Sequence, residues 1–161
     1  MQELLALADG FPTRTLAAGE VLLVDGQPVP ELYILLEGTL GVAKGGVAIA
    51  TITEPGACVG ETSLLLGVPA TADVAAVTSA RLAVIDDARA LLETNPTLPI
   101  ALAQMLAVRL QAMTTYLADL KHQYADHEGG LGMVDVVLGT LMQTSGARTQ
   151  LGSDRDPDPE Y

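Results

Sequence analysis

Tryptophan is missing from the 161-residue chain, phenylalanine occurs once, and aromatic residues make up 3% of the total. The core must therefore be aliphatic, drawn from the Leu, Val, Ile, Ala and Met that dominate a 49% hydrophobic fraction. The same scarcity argues against single-stranded nucleic acid binding by base stacking. Basic residues are few: 8 Lys and Arg stand against 20 Asp and Glu, for a net charge of −12. Duplex binding needs clustered cations to displace counterions, so no nucleic acid partner is expected. An anionic membrane would repel this surface. The single cysteine, Cys58, cannot form an internal disulfide. With only His122 and His127 beside it, no zinc site is expected. No apolar run reaches about 18 residues, so no membrane span is expected. The opening MQELLALADGFP lacks the basic start of a secretory signal, and a cytoplasmic location is expected.

What is present changes character along the chain. Residues 2–8 (QELLALA) read as a short helix stopped by Gly10 and Pro12. From 15 to 86, short runs of Val, Ile and Leu are punctuated by Gly, Pro and Asp about every ten residues, a pattern of antiparallel sandwiches and barrels. Asp25-Gly26 and Gly45-Gly46 are hairpin-type turn pairs, and Gly38 and Pro55-Gly56 mark further reversals.

After Asp86 the period lengthens to that of helices. Residues 88–94 form one short helix, ended by Asn95-Pro96, and 98–124 form the longest. In the latter, Ala103, Leu106, Leu110, Met113, Leu117, Leu120 and Tyr124 recur at alternating spacings of three and four. A sustained 3.5-residue period is the sign of a coiled-coil seam. Ile100, Leu102, Met105 and Val108 add a second apolar face. Two readings stand: a helix with one face on its own barrel and the other on a partner helix, or a purely intramolecular core helix. The first is favoured, which makes the protein a homodimer. A further helix is predicted over 131–143, followed by a polar, acidic tail over 144–161. The domain is thus placed at 1–125, with 126–161 as a helical appendage and tail.

Two segments together carry a family resemblance. The first is Gly19-Glu20-Val21-Leu22, Gly26-Gln27 and Glu31-Leu32-Tyr33-Ile34-Leu35-Leu36-Glu37-Gly38. The second is Pro55-Gly56, Gly60-Glu61-Thr62-Ser63-Leu64-Leu65 and Pro69-Ala70-Thr71-Ala72-Asp73-Val74. In their order and spacing they resemble the cyclic nucleotide-binding domain family, and the second is similar to its phosphate-binding cassette. The resemblance covers about residues 10–121. It implies a mainly β fold with flanking helices: a double-stranded β-helix, or jelly roll barrel, with a long C-terminal dimerisation helix. It implies cyclic AMP or cyclic GMP as ligand, and no resident cofactor.

The cassette residues suit that chemistry. A cyclic phosphate is a compact monoanion, well held by free N–H groups at the start of a short helix. Gly60 permits close backbone approach, 61–66 can form the helical turn, and Thr62 and Ser63 add hydroxyls. The resemblance gives Glu61 a ribose hydroxyl. Without the family pattern, Gly60-Glu61 would read simply as a barrel turn.

Departures from the family pattern are as informative. Val29 stands where a small residue is usual. Where the family places an arginine on the phosphate, this chain has Ala70, and Asp73 adds a negative charge close by. Thr71 keeps a hydroxyl at the next position. Losing a hydrogen bond to a charged group removes about 1.5–3 kcal/mol, or roughly 10- to 100-fold in affinity. A replacement cation must come from Lys44, Arg81, Arg89, Arg109 or Lys121. Arg109-Leu110-Gln111 with Met113-Thr114-Thr115 resembles the helix that contacts the purine in the bacterial cyclic AMP receptor group, which makes Thr114 a candidate base contact. Mid-helix threonines also commonly bond their own preceding turn.

Those receptors carry a DNA-reading module after the long helix. The residues following Lys121 do not read as one, so a stand-alone domain is expected. Three functions are open to such a chain: a sensory module that binds a cyclic nucleotide, an interaction protein with a degenerate pocket, and an enzyme. No nucleophile–base pair or metal set supports the third.

Overall fold

The computed structural model describes residues 2–123, together with 137 and 139. The chain divides into two compact units, 1–110 and 111–161. The first holds two four-stranded antiparallel sheets. Its strands are β1 (Thr13–Leu16), β2 (Val21–Leu23), β3 (Leu32–Glu37), β4 (Leu40–Lys44), β5 (Val47–Ile52), β6 (Cys58–Val59), β7 (Asp73–Ala76) and β8 (Ala80–Ile85). One sheet has the order β1-β8-β3-β6 and the other β2-β7-β4-β5. This is the arrangement expected of a jelly roll.

Four helices accompany the sheets: α1 (Gln2–Ala8), α2 (Glu61–Leu66), α3 (Ala88–Thr94) and α4 (Thr97–Gln123). The residues that stop and start them act as their chemistry suggests. Asp87 caps α3 by accepting from the Ala90 N–H at 3.1 Å. Asn95 ends α3, and its side chain then accepts from Thr97 and Leu98, the first turn of α4. Residues 111–123, in the second unit, are the remainder of α4. The helix expected over 131–143 and the tail lie outside the described residues, apart from positions 137 and 139. No described helix is long and apolar enough to cross a membrane.

Strand alternation builds two cores. On β3, Leu32 and Ile34 point toward the helices, while Tyr33 and Leu35 point between the sheets. Cys58 and Val59 of β6 divide the same way. The helix-side core adds Leu4, Ile85, Leu98, Leu102 and Met105, and the inter-sheet core adds Leu16, Leu40, Val74 and Leu82. Both faces of β3 are covered, which is why it reads as an unbroken apolar run.

The two predicted hairpin pairs have different fates. Gly45 and Gly46, both at positive φ, close the β4–β5 hairpin. Asp25-Gly26 does form a turn, with the Gln27 N–H donating to the Val24 carbonyl, but β2 then pairs with β7. The turn delivers the chain to the other sheet instead of folding it back. Gly38 makes a second crossing, between β3 and β4. A Cβ there would sit 2.3 Å from the Ser79 oxygen, so only glycine fits.

Candidate functional site

The cassette begins where β6 ends. Gly60 takes φ +93°, and a Cβ there would lie 2.9 Å from the Glu31 oxygen and 3.1 Å from Val29 Cγ1. That backbone setting starts α2 immediately, with Glu61 in its first turn. Gly67, at φ +66°, ends α2 by donating its N–H to the Ser63 carbonyl. The chain then returns through Pro69 to Ala70, whose N–H donates to Gln27 and whose carbonyl accepts from Gly26. These two bonds pin the cassette to the Asp25-Gly26 turn.

All six predicted cassette residues, Gly60, Glu61, Thr62, Ser63, Ala70 and Thr71, line one cavity of about 230 Å³. Its other walls include Leu23, Val42, Ile52 and Val74 from the second sheet, and Arg109 from α4. The sequence names Arg109 as one of five replacement cations and as part of the purine-contacting helix resemblance. The structure puts it in the cavity wall: Nη1 donates to Glu61 Oε1 at 2.5 Å and Nη2 to the Cys58 carbonyl at 3.0 Å. Glu61 is 5% exposed and the Arg109 side chain 37%.

Three of the other candidates are committed elsewhere. Lys44 pairs with Asp25, Arg81 with Glu37 and Arg89 with the Leu64 carbonyl. Lys121 lies in the second unit. Asp73 does not oppose a ligand as its charge suggested. Its Oδ1 accepts the Asp25 N–H at 2.9 Å, holding β7 to the 24–27 turn, and it is not among the lining residues.

Ala70 is 4% exposed and gives the cavity a methyl group where a cation was expected. Ser63 donates its hydroxyl to the Pro69 carbonyl at 3.2 Å, and Thr62 lies 3.4 Å from Glu61 Oε1. The first N–H groups of α2 have no acceptor within the helix and remain available as donors. Cys58 is fully buried, and burial, reinforced by Glu61, pushes its thiol up to about 12. It is inert at neutral pH.

The predicted seam residues divide between the units. Leu106 packs partly against the helix-side core, and Leu110 is 45% exposed. In the second unit Met113 is 59% exposed, and Thr114, Leu117 and Leu120 are half-buried. The buried face of α4 in the first unit is Leu98, Ala101, Leu102 and Met105, so Leu106 and Leu110 lie to one side of it.

Residues 13–95 match the sequence model of the cyclic nucleotide-binding domain. The N-terminal domain of a transcriptional regulator from Streptomyces coelicolor A3(2) is 28% identical, with a TM-score of 0.51 over 69% of this chain and 81% of that one. The catabolite activator protein of Thermus thermophilus is 28% identical, with a TM-score of 0.60 over 75% of this chain. The match spans 60% of the Thermus protein's length. No curated protein matches the chain.

Proposed function

Because the chain belongs to the cyclic nucleotide-binding domain family, we propose that it is a sensory and regulatory domain whose cassette cavity takes a small ribosyl ligand and binds cyclic AMP and cyclic GMP weakly. The carrying observation is the convergence of all six cassette residues on one cavity in which Ala70 replaces the cation and Arg109 is paired with Glu61. Cavity shape and main-chain donors support ligand entry; the missing cation opposes a phosphate. Losing a charge-assisted bond of about 1.5–3 kcal/mol would take micromolar affinity to about 100 μM or weaker.

The output runs through α4. Arg109 ties the cassette to that helix, so a ligand that competes for Glu61 changes what holds α4 in place. A shift of this kind needs different ligand affinities in the two states. The seam Leu106, Leu110, Met113, Leu117 and Leu120 is read as the surface that joins two copies, with 1–125 as the functional domain and 126–161 as an appendage. Thr114 is the candidate base contact.

Calorimetric titration of the full chain with cyclic AMP and cyclic GMP tests this reading. Dissociation constants of about 100 μM or above are expected, and micromolar binding of either would overturn it. One observation favours a second reading, a ligand-independent interaction module. Glu61 and Arg109 are already paired with each other, as they would be in a pocket no longer in use.

A further inference from the structure

We propose that the cassette cavity selects an uncharged ribosyl ligand, a free nucleoside, over any nucleotide. This rests on the reading that the cavity is a ligand site and names the class of ligand it takes.

Among the described residues lining the cavity, the charged ones are Glu61 and Arg109, and they cancel. Arg109 directs one terminal nitrogen to the carboxylate and the other to the Cys58 carbonyl. Lys44, Arg81 and Arg89 are engaged outside the cavity. A phosphodiester would therefore enter without a counter-charge, on a chain that already carries a net −12.

The direction of the hydrogen bonds points the same way. Pro69 O can only accept, so Ser63 spends its hydroxyl hydrogen on it and offers the cavity lone pairs. The bonds that Glu61 accepts, from Arg109 and Thr62, both fall on Oε1. Oε2 accepts from no donor among the described residues and is not shut away from solvent, so it is open to a ligand's hydroxyl. Glu61 and Ser63 therefore ask for donors at this end of the cavity. Ribose hydroxyls are donors; phosphate oxygens only accept and would face a carboxylate.

The N–H groups of α2's first turn do favour an anion, but Glu61 supplies a carboxylate in that same turn. Leu23, Val42, Ile52 and Val74 make the facing wall apolar, which also disfavours a charged group.

The test uses the full wild-type chain and calorimetry with adenosine, guanosine, their 3′,5′-cyclic monophosphates and 2′-deoxyadenosine. At least one nucleoside should bind about tenfold or more tightly than its cyclic monophosphate, and removal of the 2′-hydroxyl should weaken adenosine about tenfold. A cyclic monophosphate that binds as tightly as its nucleoside would overturn this inference and leave the cavity a ligand site. Equal binding of 2′-deoxyadenosine and adenosine would also overturn it, by removing Glu61 from recognition. Failure of every compound to bind at millimolar concentration would overturn both the inference and the reading beneath it.

Discussion

Arg109 Nη1 stands 2.5 Å from Glu61 Oε1, across 48 positions of sequence, and joins the start of the cassette helix to the long helix α4. Glu61 is buried and Arg109 is partly exposed. Removing one partner of a fully buried pair costs about 3–5 kcal/mol, because the other charge is left without compensation. Water reaches Arg109, so Arg109→Met should cost less, about 1–3 kcal/mol. Glu61→Gln in the same chain should recover part of that loss. Urea unfolding of the two single variants and the double variant measures the coupling, and strictly additive losses would contradict a working pair.

Two glycines with similar backbone angles should respond very differently to a methyl group. Gly38 has φ +94°, and a Cβ there meets Ser79 O at 2.3 Å and Ala80 Cα at 2.6 Å. Gly26 has φ +77° with nothing within 4 Å. Gly26→Ala should cost about 1 kcal/mol, the strain of a left-handed L-residue. Gly38→Ala adds a backbone collision at the sheet crossing and should cost about 3 kcal/mol or more. Similar melting temperatures for the two variants would count against the crossing geometry.

Stability should fall in alkali. Burial raises the Cys58 thiol from 9.0 to about 12, and burial together with Glu31 raises the Tyr33 hydroxyl from 10.0 to about 12. Both groups stay neutral in the folded chain at pH values where the unfolded chain ionises. Their contribution is therefore whole below pH 9 and is lost as pH climbs from 9 toward 12. Chemical denaturation at stepped pH should show that decline, beginning earlier for wild type than for Cys58→Ala. A maleimide at pH 8 should label Cys58 only after unfolding, and rapid labelling of the folded chain would contradict its burial.

The seam predicts a dimer in solution. Leu110 and Met113 are large apolar side chains, 45% and 59% exposed. Light scattering should give twice the chain mass for wild type and the single-chain mass for Leu110→Glu, with the circular dichroism of the β domain retained. A monomeric wild type at about 100 μM would remove the pairing of α4.

Local structure was the most legible part of the sequence. Gly10 and Pro12 end α1, Asn95-Pro96 separates α3 from α4 and Gly60 opens α2, because each acts through its own backbone and does not wait for tertiary contacts. The cassette was legible for the same reason. Side-chain direction was not. Arg81 lies opposite Glu37 on β3 and pairs with it there, yet β8 is apolar on both faces, so alternation could not say where its one arginine pointed. The bond that Asp73 makes was not legible, because its partner is a main-chain N–H in a turn 48 residues away and no composition signal marks such a bond. Arg109 was nameable but not placeable: Leu98, Leu102 and Met105 had first to fix which face of α4 the barrel takes. The sheet crossing at Asp25-Gly26 was hidden because a turn signal specifies a reversal, not the strand that follows it.

Titration of cyclic AMP into wild type and into Ala70→Arg, side by side, tests the central claim most directly. Ala70 is buried in the cavity wall, so the longer side chain enters the space where a phosphate would lie. Wild type should bind with a dissociation constant of about 100 μM or weaker, and the variant should gain at least about tenfold. Micromolar binding by wild type, with no gain from the arginine, would contradict it.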